Sequence, residues 1–285
     1  MVSMVESRQR WVERPDRVYG AQDRARGAVF TKKPVVDLLM KLGFEKREGG
    51  LLSTRVLEPS FGHGDFLIPI ARNLLTEWRG SDRNGDDTVL DSCIRGVEID
   101  QESFRYVREK VRDLLVEFDV HPTSILRILD EWLSEGDFLI EEFDQAFDLV
   151  IGNPPYIRQE AIDDALLATY KSRFATMIGR ADIYVAFFER SLELLRPNGR
   201  VAFICSDSWI KNAYGRALRS KIANEYCLRY YVDMYGLDVF DFQVGTYPSI
   251  TIIENTQKDL AARVATASNA TAEGLARLGA DLAAS

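Results

Sequence analysis

Residues 147–156 read Phe-Asp-Leu-Val-Ile-Gly-Asn-Pro-Pro-Tyr. Residues 147–151 are mostly apolar and carry β-branched and aromatic side chains, so they predict a short buried strand that ends at Gly152. In doubly wound α/β sheets, ligands bind at the carboxyl ends of the strands. The tetrapeptide 153–156 is therefore expected at the mouth of a strand, in position to contact a bound molecule.

The tetrapeptide combines a carboxamide, two prolines and an aromatic ring. Pro154 and Pro155 cannot continue a sheet ladder, so backbone carbonyls here are expected to point outward. One such carbonyl and the Asn153 side chain could accept both hydrogens of an NH2 group, while Tyr156 offers a stacking face to the attached ring. This predicts a binding site for a flat, amine-bearing substrate. Methyl transfer to an exocyclic nitrogen is the first hypothesis for its function. The four residues alone leave a plain Asn-Pro turn beside a core tyrosine equally open.

Strand-like and helix-like segments alternate on both sides of this stretch. Such alternation predicts a doubly wound, mostly parallel seven-stranded sheet with helices on both faces. The last two strands follow one another closely, which predicts an antiparallel hairpin at one edge. Residues 121–140 are ambiguous between helix and strand. The predicted strands are 55–58, 93–99, one that ends near 136–137, 147–151, 201–205, 228–234 and 249–253, and the predicted helices are 34–42, 66–78, 102–118, 183–195 and 209–223.

Composition divides the chain into three parts. Residues 1–26 are rich in Arg, Glu and Asp with little periodicity, which predicts an irregular arm. Residues 27–254 contain the alternating segments and form the expected domain. Residues 255–285 are rich in Ala and Thr with little bulk, so they predict a linker or a helical tail and no second folded domain.

The overall composition is that of an ordinary soluble protein, with 285 residues, 46% of them hydrophobic and 28% charged. No run approaches the roughly 18 apolar residues of a membrane span, and the N-terminus lacks the apolar core of a signal peptide, so a cytoplasmic protein without membrane contact is expected. Cys93, Cys205 and Cys227 lack metal-binding spacing and predict buried thiols. His63 and His121 are the only histidines. The sequence therefore predicts no metal site and disfavours a Ser-His hydrolase.

The formal net charge of −8 argues against a protein that binds nucleic acid over its whole surface. Two local clusters are basic. One comprises Lys211, Arg216, Arg219 and Lys221 with no acid among them, and the other lies in residues 24–33. Solvated helix faces are the more common explanation of such clusters.

The turn after the first predicted strand, residues 58–66, reads Glu-Pro-Ser-Phe-Gly-His-Gly-Asp-Phe. Gly62 and Gly64 remove Cβ atoms where the chain turns sharply, so backbone amides can approach a ligand closely. A tight strand-to-helix turn is the structural alternative. A third glycine is missing, which argues against a dinucleotide-binding fingerprint.

Acidic residues follow the next two predicted strands. An acid at the end of the second strand is where ribose hydroxyls are bound, and Glu98 or Asp100 could serve. Asp100 also fits a helix N-cap, so we expect Glu98 at the ribose and Asp100 at the cap. Asp137 could accept a hydrogen bond from an adenine amino group while Phe138 covers the ring, although an exposed loop Asp is an equally good interpretation.

Taken together, these segments resemble the γ-class N6-adenine DNA methyltransferases of restriction-modification systems. The resemblance covers roughly residues 24–254 and rests on the order of its motifs. It implies a Rossmann-like class I methyltransferase fold. The motifs are 27–34 (Gly-Ala-Val-Phe-Thr-Lys-Lys-Pro), 58–66, 96–100 (Gly-Val-Glu-Ile-Asp), 136–138 (Gly-Asp-Phe), 153–156 and 239–242 (Val-Phe-Asp-Phe).

The resemblance implies S-adenosylmethionine as the cofactor. Thr31 and the loop 58–64 would hold its amino-acid end, and Glu98 its ribose. Ile99 and Phe138 would sandwich the adenine. The implied cofactor-binding residues are Thr31, Glu58, Pro59, Phe61, Gly62, Gly64, Glu98, Ile99, Asp137 and Phe138.

The resemblance also implies that the target is a flipped-out adenine of double-stranded DNA. Asn153 and the carbonyl of Pro154 would hold the N6 amine. Tyr156 would stack on one face of the base and Phe240 on its edge or opposite face, with Phe242 as a neighbouring candidate. The implied catalytic residues are Asn153, Pro154, Pro155 and Tyr156.

The chain departs from this family in one respect. Members usually carry a large C-terminal domain that reads the target sequence, and here only about thirty residues of low complexity follow residue 253. Target recognition is therefore expected from a domain or subunit outside this chain, be it the rest of a truncated protein, a separate specificity subunit or a dimer.

Several alternatives remain open from the sequence. Protein methyltransferases that act on a glutamine amide also use Asn-Pro-Pro-Tyr, but the pair 58–59 and the segment 30–34 favour DNA. An RNA adenine is a further possible target. A scaffold subunit that is inactive without its partner is a third alternative. A nicotinamide dehydrogenase is disfavoured by the missing glycine.

Overall fold

The structure is a computed structural model that describes residues 30–45, 49–241, 247–256 and 261–284. The irregular arm expected at 1–26, motif residues 27–29 and the candidate Phe242 lie outside the described residues. The described part contains helices α1 Lys33–Gly43, α2 Leu67–Arg79, α3 Gln101–Glu117, α4 Pro122–Trp132, α5 Asp164–Arg173, α6 Tyr184–Glu193, α7 Ser208–Lys211, α8 Arg216–Glu225 and α9 Ala272–Ala284. Its strands are β1 Val56–Glu58, β2 Ile94–Glu98, β3 Leu133–Glu135, β4 Phe147–Gly152, β5 Leu195–Ser206, β6 Cys227–Asp233, β7 Pro248–Glu254 and β8 Arg263–Thr266.

All these strands form one sheet in the order β3-β2-β1-β4-β5-β7-β6-β8. β7 runs antiparallel to β5 and β6, and the other pairings are parallel. The doubly wound, mostly parallel fold is thus as predicted, but the described sheet has eight strands instead of seven. The hairpin of β6 and β7 is not at the edge, because β8 pairs outside β6.

The strand order reverses between β1 and β4. The chain builds outward from β1 through β2 to β3, then returns to β4 on the other side of β1. Val56 pairs with Leu149 and Leu57 with Val150, so the carboxyl ends of β1 and β4 open side by side. A topological switch point of this kind is where open α/β sheets bind ligands.

The helices cover both faces of the sheet. Helices α1 to α4 and α9 bury their apolar side chains on one face, and α6 and α8 on the other. Residues 184–192 of α6 are all buried, including Glu189, whose carboxylate accepts hydrogen bonds from the amide and hydroxyl of Thr176. With helices on both faces of the sheet, the strand ends are the usual place for a ligand.

The segment 255–285 differs from the expected linker or lone helix. β8 joins the sheet, and α9 packs on α1 with Leu275 and Leu282 buried. A Cβ atom at Gly279 would lie 2.8 Å from Leu38 Cδ1, so the small residues that suggested a linker instead permit close helix packing. The described part of this segment therefore consists of a strand and a helix that both pack on the domain, in place of the expected linker.

Local differences elsewhere have identifiable causes. The helix expected at 209–223 is broken into α7, a 3-10 turn Ala213–Gly215 and α8, because Asn212 has an extended backbone with φ of −89° and ψ of 157°. The ambiguous stretch 121–140 contains α4 and β3. Among the described residues, no helix has the length and apolar character needed to cross a membrane.

Candidate active site at the switch point

The turn after β1 requires two glycines. Gly62 and Gly64 have φ angles of +51° and +80°, in the left-handed region that favours glycine. The amide of Phe61 donates to the carbonyl of Val97 over 3.2 Å, which ties the turn to β2. A Cβ atom at Gly64 would lie 2.7 Å from Ile68 Cδ1. The turn therefore brings backbone amides and the start of α2 close to the open end of the sheet.

The carboxylate of Glu98 joins the turns after β1 and β2. It accepts the amide of Gly62 over 2.7 Å and the amide of Asp100 over 2.8 Å. Asp100 caps α3 by accepting the amide of Ser103 over 2.9 Å, so the predicted N-cap is confirmed. Glu98 lines the cavity described next, and its contact with a ribose stays a prediction.

A cavity of about 340 Å³ opens beside these turns. Its size falls within the roughly 300–1,000 Å³ usual for small-molecule sites. The turns after β1 to β4 contribute to its lining, and α5 and α6 cover it. Of the predicted cofactor residues, those that line it are Pro59, Gly62, Glu98, Ile99, Asp137 and Phe138.

Ile99 and Phe138 differ in exposure. The Ile99 side chain is 65% exposed, whereas Phe138 is 2% exposed and packs against Phe143 and Phe187. Phe187 of α6 and Ile183, the residue just before that helix, also line the cavity. A ring bound there meets a fixed aromatic wall on the Phe138 side and an exposed aliphatic side chain at Ile99.

A smaller pocket of about 40 Å³ adjoins the cavity and shares Ser60, Gly62 and Pro155 with it. Thr31, Glu58, Phe61 and Asn153 are among its lining residues. Gly64, the remaining predicted cofactor residue, lines neither space and serves the turn itself. The two spaces together bring the other predicted cofactor residues to one end of the sheet.

Glu58 is a buried acid in the smaller pocket. Its side chain is 3% exposed, and burial, followed by the nearby carboxylates of Asp65 and Glu98, raises its pKa well above the usual value. Its Oε2 atom is buried and has no hydrogen-bond partner among the described residues. An acid in this setting is well suited to a cationic ligand group, because such a group would offset the cost of burying the charge.

Phe30 and Thr31 line one side of the smaller pocket, and the chain continues from them through Lys32. They run antiparallel to residues 239–241, with Thr31 opposite Phe240. The amide of Lys32 donates to Val239, and the amide of Asp241 donates to Phe30, each over 3.0 Å. The described part of the predicted N-terminal motif thus pairs directly with the described part of the last one.

Thr31 links the two halves of the site. Its amide donates to Asp65 Oδ2 over 2.9 Å, and its hydroxyl accepts the side-chain nitrogen of Asn153 over 3.2 Å. The second contact assigns the amide nitrogen of Asn153 to Thr31 and so fixes the direction of its carboxamide oxygen. Asn153 is half-buried, and Pro154 beside it is buried.

Tyr156 and Phe240 form an aromatic corner. Their ring centroids lie 6.1 Å apart, and the ring planes meet at 69°. Phe240 is therefore at the edge of Tyr156 and not parallel to it. The Tyr156 hydroxyl is buried without a hydrogen-bond partner among the described residues, and burial, then the nearby Cys205, raises its pKa. The phenol stays neutral, and the ring can serve as an apolar face.

Sequence reasoning missed several residues of the site. Phe30 stacks on His63 with ring centroids 4.3 Å apart, and Asp65 anchors Thr31. Tyr170 donates to Asp137 from a helix without clear amphipathic pattern. Phe30, His63 and Asp65 belong to the motifs 27–34 and 58–66, which is the signal that could have included them in the site, whereas Tyr170 lies in none of the motifs. Among the described residues, no group of three or more candidate ligands could hold a metal ion.

Comparison with known proteins agrees with this geometry. Residues 92–240, just over half of the chain, match the Eco57I restriction-modification methylase family. The chain is 46% identical over 230 residues to the Type II methyltransferase M.PaeR7I of Pseudomonas aeruginosa, covering 80% of this chain and 40% of that protein. It is 40% identical over 240 residues to M.XhoI of Xanthomonas vasicola, covering 84% and 44% respectively. The chain thus spans less than half the length of these relatives.

Solved structures establish the fold class. The restriction-modification enzyme MmeI, in complex with DNA, superposes with a TM-score of 0.67 at 15% identity, covering 89% of this chain and 40% of that one. A class I S-adenosylmethionine-dependent methyltransferase from Listeria monocytogenes gives a TM-score of 0.58 at 16% identity, covering 89% and 71%. The expected Rossmann-like class I fold is confirmed.

Proposed function

The chain belongs to the Eco57I restriction-modification methylase family, and from this membership we propose that it transfers a methyl group from S-adenosylmethionine to the N6 amine of an adenine in DNA. It would do so as the modification component of a restriction-modification system. Double-stranded DNA is the proposed partner.

The observation that carries this proposal is the position of Asn153. Its carboxamide lies at the carboxyl end of β4, beside β1, and its nitrogen is held by Thr31 at the wall of the smaller pocket. The aromatic corner adjoins this pocket without lining it, because Tyr156 lies three residues after Asn153 and Phe240 pairs with Thr31. A planar base with an exocyclic amine is the substrate that matches a carboxamide next to an aromatic face.

The residues present fit the proposed cofactor. The buried carboxylate of Glu58, with its unpartnered oxygen among the described residues, suits the ammonium of an amino acid. The larger cavity offers Glu98 for ribose hydroxyls, and Asp137 with Phe138 for an adenine ring. Bound there, S-adenosylmethionine supplies a methyl group activated by its sulfonium.

The protein's own part in the transfer is orientation and electrostatics. An adenine amine is a poor nucleophile because its lone pair is delocalised into the ring. Acceptors at Asn153 and at the carbonyl of Pro154 would hold both amine hydrogens and favour a pyramidal nitrogen whose lone pair faces the methyl group. Pro155 restricts the backbone of this loop. The proton lost from nitrogen after transfer passes to solvent.

The base has to leave the duplex to reach this loop. Extrusion costs a few kcal/mol, and stacking on Tyr156 would offset part of that cost. Sequence recognition is proposed to depend on a domain or subunit that corresponds to the unmatched remainder of the relatives. Residues 27–254, together with β8 and α9, would form the catalytic domain. The net charge of −8 is compatible with such a division, since phosphate contacts can lie outside this chain.

The test is a labelling experiment with identification of the product. The purified chain, both alone and joined to the part of M.PaeR7I that it does not match, is incubated with methyl-labelled S-adenosylmethionine and unmethylated genomic DNA. The DNA is then digested to nucleosides for mass spectrometry. We expect label in N6-methyldeoxyadenosine. Parallel reactions contain RNA or a glutamine-bearing protein extract.

Asn153→Ala is the matched control. Because the proposed role of Asn153 concerns the acceptor, we expect transfer to fall by at least about a hundredfold while S-adenosylhomocysteine binding is retained. Label in N4-methyldeoxycytidine, in RNA or in glutamine would overturn the adenine assignment. Loss of cofactor binding in a folded Asn153→Ala protein would contradict the division of roles.

A further inference from the structure

Helix α5 covers the larger cavity with few buried contacts of its own. Of its ten residues, Asp164–Arg173, only Tyr170 is buried. Leu166 and Tyr170 line the cavity, together with residues 161–163 just before the helix. A helix with one buried side chain gains little from apolar packing, so the contacts of that side chain deserve a specific explanation.

The contact that Tyr170 makes is with Asp137. The Tyr170 hydroxyl donates to Asp137 Oδ2 over 2.6 Å, and the amide of Leu139 donates to Oδ1 over 2.9 Å. Burial and then the neighbouring carboxylate raise the pKa of Tyr170, so the phenol keeps the proton that it donates. The two donors act on different oxygens and thereby fix the rotation of the carboxylate.

Asp137 retains capacity for a ligand. An ionised carboxylate has about four acceptor positions, and the two hydrogen bonds above use one on each oxygen. Asp137, Tyr170 and Phe138 line the same cavity. A ring that packs against Phe138 would therefore lie near the Asp137 carboxylate, which can accept a further hydrogen bond and whose orientation is fixed.

We propose that Tyr170 is a positioning residue that makes the cavity select a purine with a 6-amino group over one with a 6-oxo group. The inference rests on the proposed function, since it assumes that the cavity binds the adenosine part of the cofactor. An amino group donates to the fixed carboxylate. A 6-oxo group places its own acceptor against that carboxylate, and a carboxylate held by Tyr170 and Leu139 has no low-cost way to relieve the repulsion.

The experiment is calorimetric binding of S-adenosylhomocysteine and S-inosylhomocysteine to the full chain and to Tyr170→Phe. The variant keeps the ring and removes only the hydroxyl. We expect wild type to prefer the adenosine ligand by about a hundredfold and the variant by about tenfold or less, because a hydrogen bond to a charged group is worth about one to two powers of ten. The measured quantity is the ratio of the two dissociation constants, because general damage to the fold weakens the binding of both ligands alike.

Two control variants separate this role from simpler ones. Arg173 anchors the same helix by donating to the carbonyl of Ile140 and to Glu142, so Arg173→Ala disturbs α5 without touching Asp137. Tyr214→Phe removes a hydroxyl that contacts Tyr184 and Asp182 outside the cavity lining. Both variants are expected to keep the wild-type ratio.

A double-mutant cycle provides a second measurement. In the Asp137→Ala background, Tyr170→Phe is expected to leave the ratio unchanged, because Tyr170 acts through the carboxylate. An equal loss of both ligands in Tyr170→Phe, an unchanged ratio, or the same change in Arg173→Ala would overturn the proposal. Failure of wild type to bind either ligand would instead refute the proposed cofactor, and the inference with it.

Discussion

The side-chain nitrogen of Asn153 donates to the hydroxyl of Thr31 over 3.2 Å, across 122 positions of sequence. Thr31 in turn belongs to the wall of the smaller pocket and is held by Asp65. This hydrogen bond therefore connects the proposed binding site of the target base with the proposed binding site of the cofactor. A change at Thr31 should disturb catalysis through the orientation of Asn153.

Thr31→Val tests this link. Valine keeps the shape and removes the acceptor, so the Asn153 carboxamide loses one of the contacts that orient it. We expect kcat to fall by about tenfold, in line with one lost hydrogen bond of roughly 1–1.5 kcal/mol. Because Thr31 is also a predicted cofactor residue, we expect S-adenosylhomocysteine affinity to fall as well, but by a smaller factor than kcat. Steady-state kinetics and calorimetry make the measurement. Thr54→Val, which removes a buried hydroxyl that donates to Gly50, is the control for general destabilisation. Equal kcat values for Thr31→Val and wild type would refute the orienting role.

Tyr156 is expected to act through its ring and not through its hydroxyl. The hydroxyl is buried without a hydrogen-bond partner among the described residues, so Tyr156→Phe should keep activity within about threefold and cost no stability. Tyr156→Ala removes the stacking face, worth about 1–3 kcal/mol, and should lower kcat/KM by about tenfold to a hundredfold. Activity assays on both variants distinguish the two contributions. A Tyr156→Phe protein as inactive as Tyr156→Ala would assign a chemical role to the phenol.

Glu98 is expected to support both binding and the fold. Glu98→Ala removes the acceptor of two backbone amides, those of Gly62 and Asp100. We expect S-adenosylhomocysteine affinity to fall by at least about tenfold and the free energy of unfolding to fall by about 1–3 kcal/mol. Calorimetry and urea unfolding provide the two values. Glu135→Ala, at the end of the neighbouring strand and outside the cavity lining, should change neither. Undiminished affinity in Glu98→Ala would move the ribose contact to another acid.

The raised pKa of Glu58 predicts a pH-dependent cost of folding. Above the ordinary value of 4.5, the unfolded chain ionises Glu58 while the folded chain still keeps its proton. The folded state then binds more protons, so the free energy of unfolding falls as pH rises, by up to about 1.4 kcal/mol per pH unit until the folded pKa is passed. Glu58→Gln cannot ionise and lacks this cost. Relative to wild type, it should gain stability between pH 4.5 and pH 8, as measured by urea unfolding.

Glu117→Gln is the control of opposite sign. Hydrogen bonding to Arg72 lowers the pKa of Glu117, so any stability that this group contributes is present above the ordinary pKa and lost as pH falls. Parallel stability curves for wild type and Glu58→Gln across the pH range would show that burial does not penalise the Glu58 charge.

Local motifs could be predicted from the sequence because neighbouring residues determine them. The left-handed turn at Gly62 and Gly64 and the cap at Asp100 follow from backbone freedom and side-chain reach within a few positions. Strand β4 could be predicted in the same way from its own apolar run, and Asn153 follows directly after the end of the strand at Gly152. These elements are sufficient to place the site at the switch point.

Contacts between distant segments could not be predicted in this way. The bond between Tyr170 and Asp137 depends on where α5 lies over the sheet, and its pattern of side chains is too weak to fix that position. Strand β8 has four residues, too few for periodicity to distinguish it from a linker. It pairs with β6, and the helix that follows it, α9, packs on α1.

The pairing of Thr31 with Phe240 sets a boundary for any shortened version of the protein. A fragment that begins after Lys32 would lose the backbone partner of residues 239–241 together with Thr31. Phe240, whose ring lies at the edge of Tyr156, would then lose the backbone hydrogen bonds that hold its segment to residues 30–32. A minimal catalytic fragment therefore has to begin before Phe30, even though the strands of the sheet begin only at Val56.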